Sequence, residues 1–135
     1  MSGTDAIRWD EARRWLAKAI EDSRSAEALL GIEPPLLDPA AYHCQQAAEK
    51  MLKALLAAAG AAIPKVHDLQ RLAALVLPHH PLLAGEIARV TDLTPWGTAT
   101  RYPDLDCDLG VIPEDIRDAL TTLERLRAAI AALAP

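Results

Sequence analysis

The sequence predicts an all-α protein, an antiparallel up-and-down four-helix bundle with an additional short helix. Apolar residues make up 51% of the 135 residues, Phe is absent, and Ala and Leu are abundant, a composition that favours helices over strands. Apolar positions recur at steps of three and four residues in five segments, and no strand-like alternation is found. Short connections between amphipathic segments favour antiparallel neighbours. The length suits a single domain that spans residues 1–135.

The five predicted helices cover approximately residues 7–30, 38–59, 68–77, 82–93 and 113–133. Most of the ten prolines fall between these segments or at their first residues, where they interrupt no helical hydrogen bond. The connection from Thr94 to Ile112 is the exception to the short loops, and its length indicates a functional or partly irregular segment.

The first two helices have clear stop signals. Gly31 follows the first helix and Gly60 follows the second. We expect Asp38 to be the N-cap of the second helix and Pro39 to occupy its first helical position, where the missing N–H is harmless. The core positions predicted for the first helix are Ala12, Trp15, Leu16, Ala19, Ser23, Ala26 and Leu30. Those predicted for the second helix are Ala41, Cys44, Ala48, Leu52, Leu55 and Leu56.

The remaining helices follow the same periodicity. The fourth places Leu83, Ile87 and Val90 on one side, and the last starts near Pro113, with two carboxylates at the positive end of its dipole. The positions predicted to be buried in the last helix are Ile116, Leu120, Leu123, Ile130 and Leu133.

Composition excludes several classes of function. A net charge of −5 argues against a protein that coats nucleic acid through its overall field, although a local basic patch remains compatible with it. Two cysteines, Cys44 and Cys107, form no disulfide framework, and we expect Cys44 to be a buried thiol. We find neither a signal-peptide pattern nor an apolar run long enough to span a membrane, so the expected location is the cytoplasm. The sequence has no cofactor-binding motif, and we expect no metal site.

Three segments occur in a characteristic order. Residues 42–56 read YHCQQAAEKMLKALL, residues 65–69 read KVHDL, and residues 101–104 read RYPD. Together they resemble the second-helix signature, the turn into the third helix and the Arg-Tyr-Pro loop of the HEPN family. The resemblance spans about Arg8 to Leu133.

The resemblance implies an up-and-down helical bundle that is usually a homodimer. It also implies partnership with a minimal nucleotidyltransferase in a two-gene toxin–antitoxin module, while other family members are ribonuclease toxins or nucleotide-binding appendages. The ribonucleases depend on an Arg followed four to six residues later by His. Here Arg101 has no such partner, because the last histidine of the chain is His80. Since metal-free RNA cleavage needs a proton-transfer group beside the cation, the sequence favours a protein that is not an enzyme, with no catalytic residue assigned.

The second helix carries the first group of candidate ligand-binding residues. His43, Gln46 and Lys50 share one stripe, and Glu49 and Lys53 are four residues apart, in the order that favours an ion pair along a helix. One interpretation is a solvated ion pair on an exposed face. The other, supported by the resemblance, is a site for a nucleotide or RNA, in which these groups hold a phosphate or a base edge.

Two further groups of candidates lie outside that helix. The guanidinium of Arg101 and the ring of Tyr102 suit phosphate binding and base stacking, but Tyr102 could equally pack on the bundle while Arg101 caps a helix. Lys65 and His67 precede the third helix and are also candidates for ligand contacts. For His67 and Asp68 we favour local helix capping.

Three functions therefore remain open. The first is a binding module, the partner of a nucleotidyltransferase, that holds nucleotide or RNA in a groove where His43, Lys50 and Lys53 face Arg101 and Tyr102. The second is a divergent metal-independent ribonuclease that pairs Arg101 with an acidic group such as residue 104. The third is a homodimeric scaffold without a ligand. We favour the first and expect a homodimer in each case.

Overall fold

The computed structural model describes residues 2–97 and 110–135. These residues form five α-helices and two short 3₁₀ turns, with no strand among them. The helices are α1 Gly3–Leu30, α2 Leu37–Ala58, α3 Leu69–Val76, α4 Ala84–Thr91 and α5 Pro113–Leu133. The 3₁₀ turns are Pro81–Leu83 and Thr94–Gly97. The predicted all-helical fold is confirmed.

Helices α1 and α2 pack against each other over most of their length. The contacts run in opposite directions along the two helices: Asp22 meets Lys50, whereas Arg8, nearer the start of α1, meets Gly60 just after α2. The pair is therefore antiparallel, as predicted. The buried apolar residues of α1 are alanines seven residues apart, and small side chains of this kind allow two helices to approach closely. They are Ala12, Ala19 and Ala26.

Helix α2 lies at the centre of the bundle and contacts α1, α3, α4 and α5. Leu52, Leu55 and Leu56 are each at most 1% exposed. Fully burying such a side chain stabilises the fold by about 1.5–3 kcal/mol. The largest buried side chains that pack around α2 come from the shorter helices and from α5. They are Leu69, Leu72, Ile87, Ile116, Leu123, Leu126 and Ile130.

The ends of α1 and α2 differ partly from the prediction. Gly31 is the C-cap of α1, as expected. Helix α2 begins at Leu37 with Leu36 as the N-cap, so the assignment of Asp38 as N-cap was wrong. Asp38 instead lies in the first turn, where its carboxylate interacts favourably with the helix dipole. Pro39 is tolerated one residue further on because the N–H groups of the whole first turn have no intrahelical acceptor.

Gly60 ends α2 by adopting a backbone conformation that other residues rarely adopt. Its φ is +69°, in the left-handed region. A Cβ atom built at this position would lie less than 3.0 Å from the guanidinium of Arg8. The turn therefore favours glycine here, and any larger residue would also displace the side chain of Arg8.

The second half of the chain contains two smaller corrections. The predicted fourth helix is a 3₁₀ turn that carries Leu83, followed by α4, and α4 ends at Thr91. Leu133 is 42% exposed rather than buried, since it is the last residue of α5. Helix α5 does begin at Pro113, as predicted.

The connection that was predicted to be irregular begins with a 3₁₀ turn, Thr94–Gly97, and Trp96 is half-buried against the core. Arg101 and Tyr102 lie outside the described residues. Among the helices that are described, none combines the length and the hydropathy that a membrane span requires.

The central position of α2 gives a first testable prediction. Leu52→Ala leaves a cavity at a site that is 0% exposed and should lower the free energy of unfolding by about 2–5 kcal/mol. Leu82→Ala is the control, because Leu82 is 95% exposed and should change this free energy by less than about 0.5 kcal/mol. Urea denaturation followed by circular dichroism measures both, and equal losses would contradict the assignment of α2 as the core helix.

Candidate functional site

A buried carboxylate on α1 holds two of the predicted ligand-binding residues. Asp22 is 9% exposed, and its Oδ1 lies 2.9 Å from Nδ1 of His43. Its Oδ2 accepts a hydrogen bond from Nζ of Lys50. His43 and Lys50 are seven residues apart, two turns of α2, so one carboxylate reaches both side chains. Two residues of the predicted stripe, His43 and Lys50, are thus paired within the protein.

Sequence reasoning did not identify Asp22 as a site residue, although a signal was present. Asp22 lies three residues after Ala19 and four residues before Ala26, so it belongs to the same helical face as these buried alanines. A carboxylate on a buried face needs a cationic or hydrogen-bonding partner. That requirement points to a polar cluster, but not to the residues that complete it.

A second buried carboxylate, Glu49, pairs with Lys53 on the same helix. Glu49 accepts a hydrogen bond from Nζ of Lys53 at 3.2 Å, so the predicted ion pair is confirmed. Its interpretation as a solvated pair was wrong. The two side chains are only 5% and 7% exposed, because α2 is covered by neighbouring elements along this face. A buried pair of this kind strongly constrains its surroundings, since loss of one partner leaves the other charge uncompensated.

His67 completes the cluster around Glu49. Its Nδ1 lies 2.9 Å from Oε1 of Glu49, while the side chain as a whole is 79% exposed. The capping role that we favoured for His67 is therefore wrong, whereas Asp68 does cap α3 and accepts a hydrogen bond from the backbone N–H of Gln70 at 2.9 Å. One nitrogen of the imidazole is fixed by a buried carboxylate, and the rest of the ring faces solvent.

Two glutamines connect this cluster to the backbone of the α2–α3 connection. Nε2 of Gln45 donates to the carbonyl oxygen of His67 at 3.2 Å. Nε2 of Gln46 donates to Oε1 of Gln45 at 2.7 Å. Gln46 was predicted as a ligand contact. Gln45, which is only 2% exposed, was not predicted as a site residue. The two amides hold the backbone at His67 in place and so help to orient its ring.

The cation of Lys53 also contacts an aromatic ring. Its Nζ lies 5.5 Å from the centroid of the Trp15 ring on α1. This distance is within the range of a cation–π interaction, which stabilises a desolvated cation. Lys53 is therefore held between the carboxylate of Glu49 and the indole of Trp15, and it joins α1 to α2.

The charges of the two clusters balance. Two carboxylates, Asp22 and Glu49, face two ammonium groups, Lys50 and Lys53. Protonation of His43 and His67 would make the clusters positive. The stripe is therefore not a patch of unpaired cations. An anion that binds there would share these cations with the carboxylates or bind together with protons.

The remaining predicted residues are Lys65, Arg101 and Tyr102. Lys65 is exposed in the connection between α2 and α3, and no hydrogen bond or ion pair joins it to the rest of the described chain. Arg101 and Tyr102 lie outside the described residues, so the predicted groove between them and α2 remains a prediction.

Cys44 and the histidine pair have no catalytic or metal-binding arrangement in the described part of the chain. Burial raises the pKa of the Cys44 thiol to about 12, which makes it a poor nucleophile at neutral pH. Nε2 of His80 lies 2.9 Å from the carbonyl oxygen of Leu55, a structural contact at the end of α2. Within residues 2–97 and 110–135, no group of three or more His, Cys, Asp or Glu side chains could hold a metal ion.

Comparisons with known proteins agree with this architecture. A family model described as "HEPN domain" matches residues 12–133. The crystal structure of TT1696 from Thermus thermophilus is similar, with a TM-score of 0.76 and 26% sequence identity over 90% of this chain and 96% of that chain. No curated protein sequence matches the chain significantly.

The Asp22 cluster gives a second prediction. Asp22→Asn keeps the shape of the side chain but removes the charge that pairs with Lys50. The free energy of unfolding should fall by roughly 1.5–3 kcal/mol, the contribution of a hydrogen bond to a charged group.

Glu21→Gln is the matched control, because Glu21 is the preceding residue and pairs with Lys18 on an exposed face. It should cost less than about 0.5 kcal/mol. Urea denaturation measures the free energy of unfolding of both variants. Urea is uncharged, so it does not screen the exposed ion pair as a salt would. Equal midpoints for the two variants would show that Asp22 does not anchor α2 to α1.

Proposed function

This chain belongs to the HEPN domain family, and we propose that it acts as a binding module within that family. In this proposal it is a cytoplasmic partner of a minimal nucleotidyltransferase and binds the phosphate of a nucleotide or RNA. The observation that carries the proposal is the geometry of His67, a solvent-facing imidazole whose Nδ1 is held by the buried carboxylate of Glu49.

The arrangement around Glu49 satisfies both oxygens of the buried carboxylate and also orients an exposed ring. Lys53 binds Oε2, and the contact with His67 engages Oε1. The additional contact to His67 fixes an imidazole that is largely exposed, and an exposed ring contributes little packing. A fixed ring loses less conformational entropy when a ligand binds, so its orientation favours binding. When protonated, the ring can donate a charge-assisted hydrogen bond to a phosphate oxygen.

Two considerations favour binding over RNA cleavage. The chain has no histidine after His80, so Arg101 lacks the partner on which the ribonuclease members depend. An acidic group such as Asp104 is ionised at neutral pH and is a poor proton donor unless its pKa is raised. A nucleotidyltransferase gene next to the gene for this chain would support the partnership, whereas RNA cleavage that Arg101→Ala abolishes would favour the enzyme.

The third prediction tests the role of His67 in ligand binding. His67→Ala should weaken the affinity for a fluorescent eight-residue oligoadenylate RNA by about tenfold or more, since a charge-assisted contact to phosphate contributes about 1.5–3 kcal/mol. Fluorescence anisotropy measures the affinity. His79→Ala is the control, because His79 is also exposed but makes no contact with either carboxylate cluster. Equal affinities for wild type and both variants, or no binding at all, would refute the proposed site.

We also propose a homodimer, and a groove between α1 and α5 supports it. The groove has a volume of about 300 Å³ and an apolar floor that includes Met51 and Leu123. Its rim carries charges of both signs, from Arg24, Glu27, Glu124 and Arg127. A two-fold assembly brings such a surface against itself, so a rim with both signs can be self-complementary.

The fourth prediction concerns this assembly. Light scattering at micromolar concentration should give twice the mass of the chain. Ile20→Glu, which adds a charge to the groove, should give a monomer with an unchanged helical circular dichroism spectrum. Ile7→Glu is the control, because Ile7 lies on the same helix, is 69% exposed and does not line the groove. A wild-type monomer, or a dimer that persists in Ile20→Glu, would contradict the assignment.

A further inference from the structure

The four histidines of the chain differ in which ring nitrogen is free to react. His79 is exposed, but no hydrogen bond within the described residues holds its ring. His80 uses its Nε2 for the contact with the carbonyl oxygen of Leu55 at 2.9 Å. His43 and His67 each have Nδ1 held by a buried carboxylate, but their side chains are 33% and 79% exposed, respectively. In the part of the chain that the structure describes, His67 alone combines a fixed ring with a largely exposed Nε2.

The contact with Glu49 decides which nitrogen of the His67 ring carries the proton. An ionised carboxylate can only accept hydrogen bonds, so Nδ1, which lies 2.9 Å from Oε1, is the donor. In the neutral ring the proton is therefore on Nδ1, and Nε2 presents its lone pair to solvent. The other oxygen of Glu49 pairs with the ammonium group of Lys53 at 3.2 Å, as an ionised carboxylate does.

We propose that His67 is a phosphoryl-acceptor site, phosphorylated at Nε2 by a small phosphodonor with a good leaving group, such as an acyl phosphate or a phosphoramidate. Imidazole is among the side chains that form covalent intermediates. The lone pair of Nε2 forms the new bond to phosphorus. The bond from phosphorus to the leaving group breaks, and its electron pair departs with that group. The proton stays on Nδ1, and Glu49 compensates the positive charge that the ring acquires.

The surroundings of the ring suit a covalently bound phosphoryl group. Lys65 lies two residues before His67, and both side chains are exposed on either side of Val66, which packs against the core. An ammonium group therefore borders the ring and can pair with the phosphoryl oxygens. Asp68 adds a negative charge on the other side, but its carboxylate caps α3 and accepts a hydrogen bond from the N–H of Gln70 at 2.9 Å.

The backbone of His67 is held as firmly as its ring. Gln45 donates to the carbonyl oxygen of His67 at 3.2 Å, and Gln46 donates to Gln45 at 2.7 Å. Because both the ring and the backbone are fixed, Nε2 has a constant direction of approach, which lowers the entropic cost of the transfer.

This covalent role goes beyond the reversible phosphate contact of the proposed function, although both use the same ring. A phosphorylated His67 carries negative charge, which repels the phosphate of a nucleotide or RNA. Modification of His67 would therefore switch off that contact.

The test treats the whole chain with potassium phosphoramidate, which transfers its phosphoryl group to imidazole and releases ammonia. Intact-mass spectrometry should show a single added phosphoryl group in the wild type and none in His67→Ala. His79→Ala is the control and should react like the wild type, because His79 is exposed but is not held by a carboxylate. Phosphorus NMR should assign the product as the Nε2 isomer, stable in alkali and lost in acid. Glu49→Gln should slow the transfer by about tenfold or more, the loss of one charge-assisted hydrogen bond.

Three results would overturn the site: no phosphorylation of the wild type, phosphorylation that persists in His67→Ala, or a product modified at Nδ1. If circular dichroism shows that Glu49→Gln does not fold, the rates at His67 and His79 within the wild-type chain decide, and equal rates would remove the role of Glu49. RNA binding is measured separately. RNA affinity that depends on His67 in a chain that is not phosphorylated would leave the proposed function standing. Phosphorylation of His67 in a chain that binds no RNA would refute the proposed function instead.

Discussion

The charged side chains buried on α2 determine how the neighbouring elements pack against this helix. The helix is central and mostly covered, yet it carries Glu49, Lys50 and Lys53 in consecutive turns. A charge that is removed from water must be compensated by an opposite charge or by hydrogen bonds. Asp22 provides that compensation from α1, and Glu49 provides it within α2 while also contacting His67 in the connection to α3. These contacts fix the register of α1 on α2 and the position of the α2–α3 connection.

The same constraint divides the cations of the protein into two sets. Lys50 and Lys53 lie mostly inside the bundle, where each pairs with a buried carboxylate. Lys65 and the ring of His67 are exposed at the surface. A lysine in a sequence motif is therefore not by itself a ligand contact. Its effect can be indirect, as when Lys53 supports the indole of Trp15.

A binding role is consistent with this division. Catalysis of RNA cleavage without a metal needs an acid or base next to the reacting oxygen. Binding needs only fixed, accessible donors and a surface for stacking. The described part of the chain offers such a donor before α3, where the buried carboxylate of Glu49 holds the exposed ring of His67. The net charge of −5 also means that any attraction for phosphate must be local.

Local sequence determined the helices, the glycine that ends α1, the proline that starts α5 and the ion pair between Glu49 and Lys53. These features depend on residues within a few positions of each other, so periodicity and spacing are sufficient to predict them. Only the tertiary structure decided that this pair is buried, and that His43 and Lys50 meet a carboxylate at position 22, which lies 21 and 28 residues away along the chain. It also decided that His67 contacts Glu49 instead of capping α3. The physical reason is that burial and pairing of charge depend on which helix faces pack together. This packing results from contacts between distant segments, which the spacing of residues within one helix does not reveal.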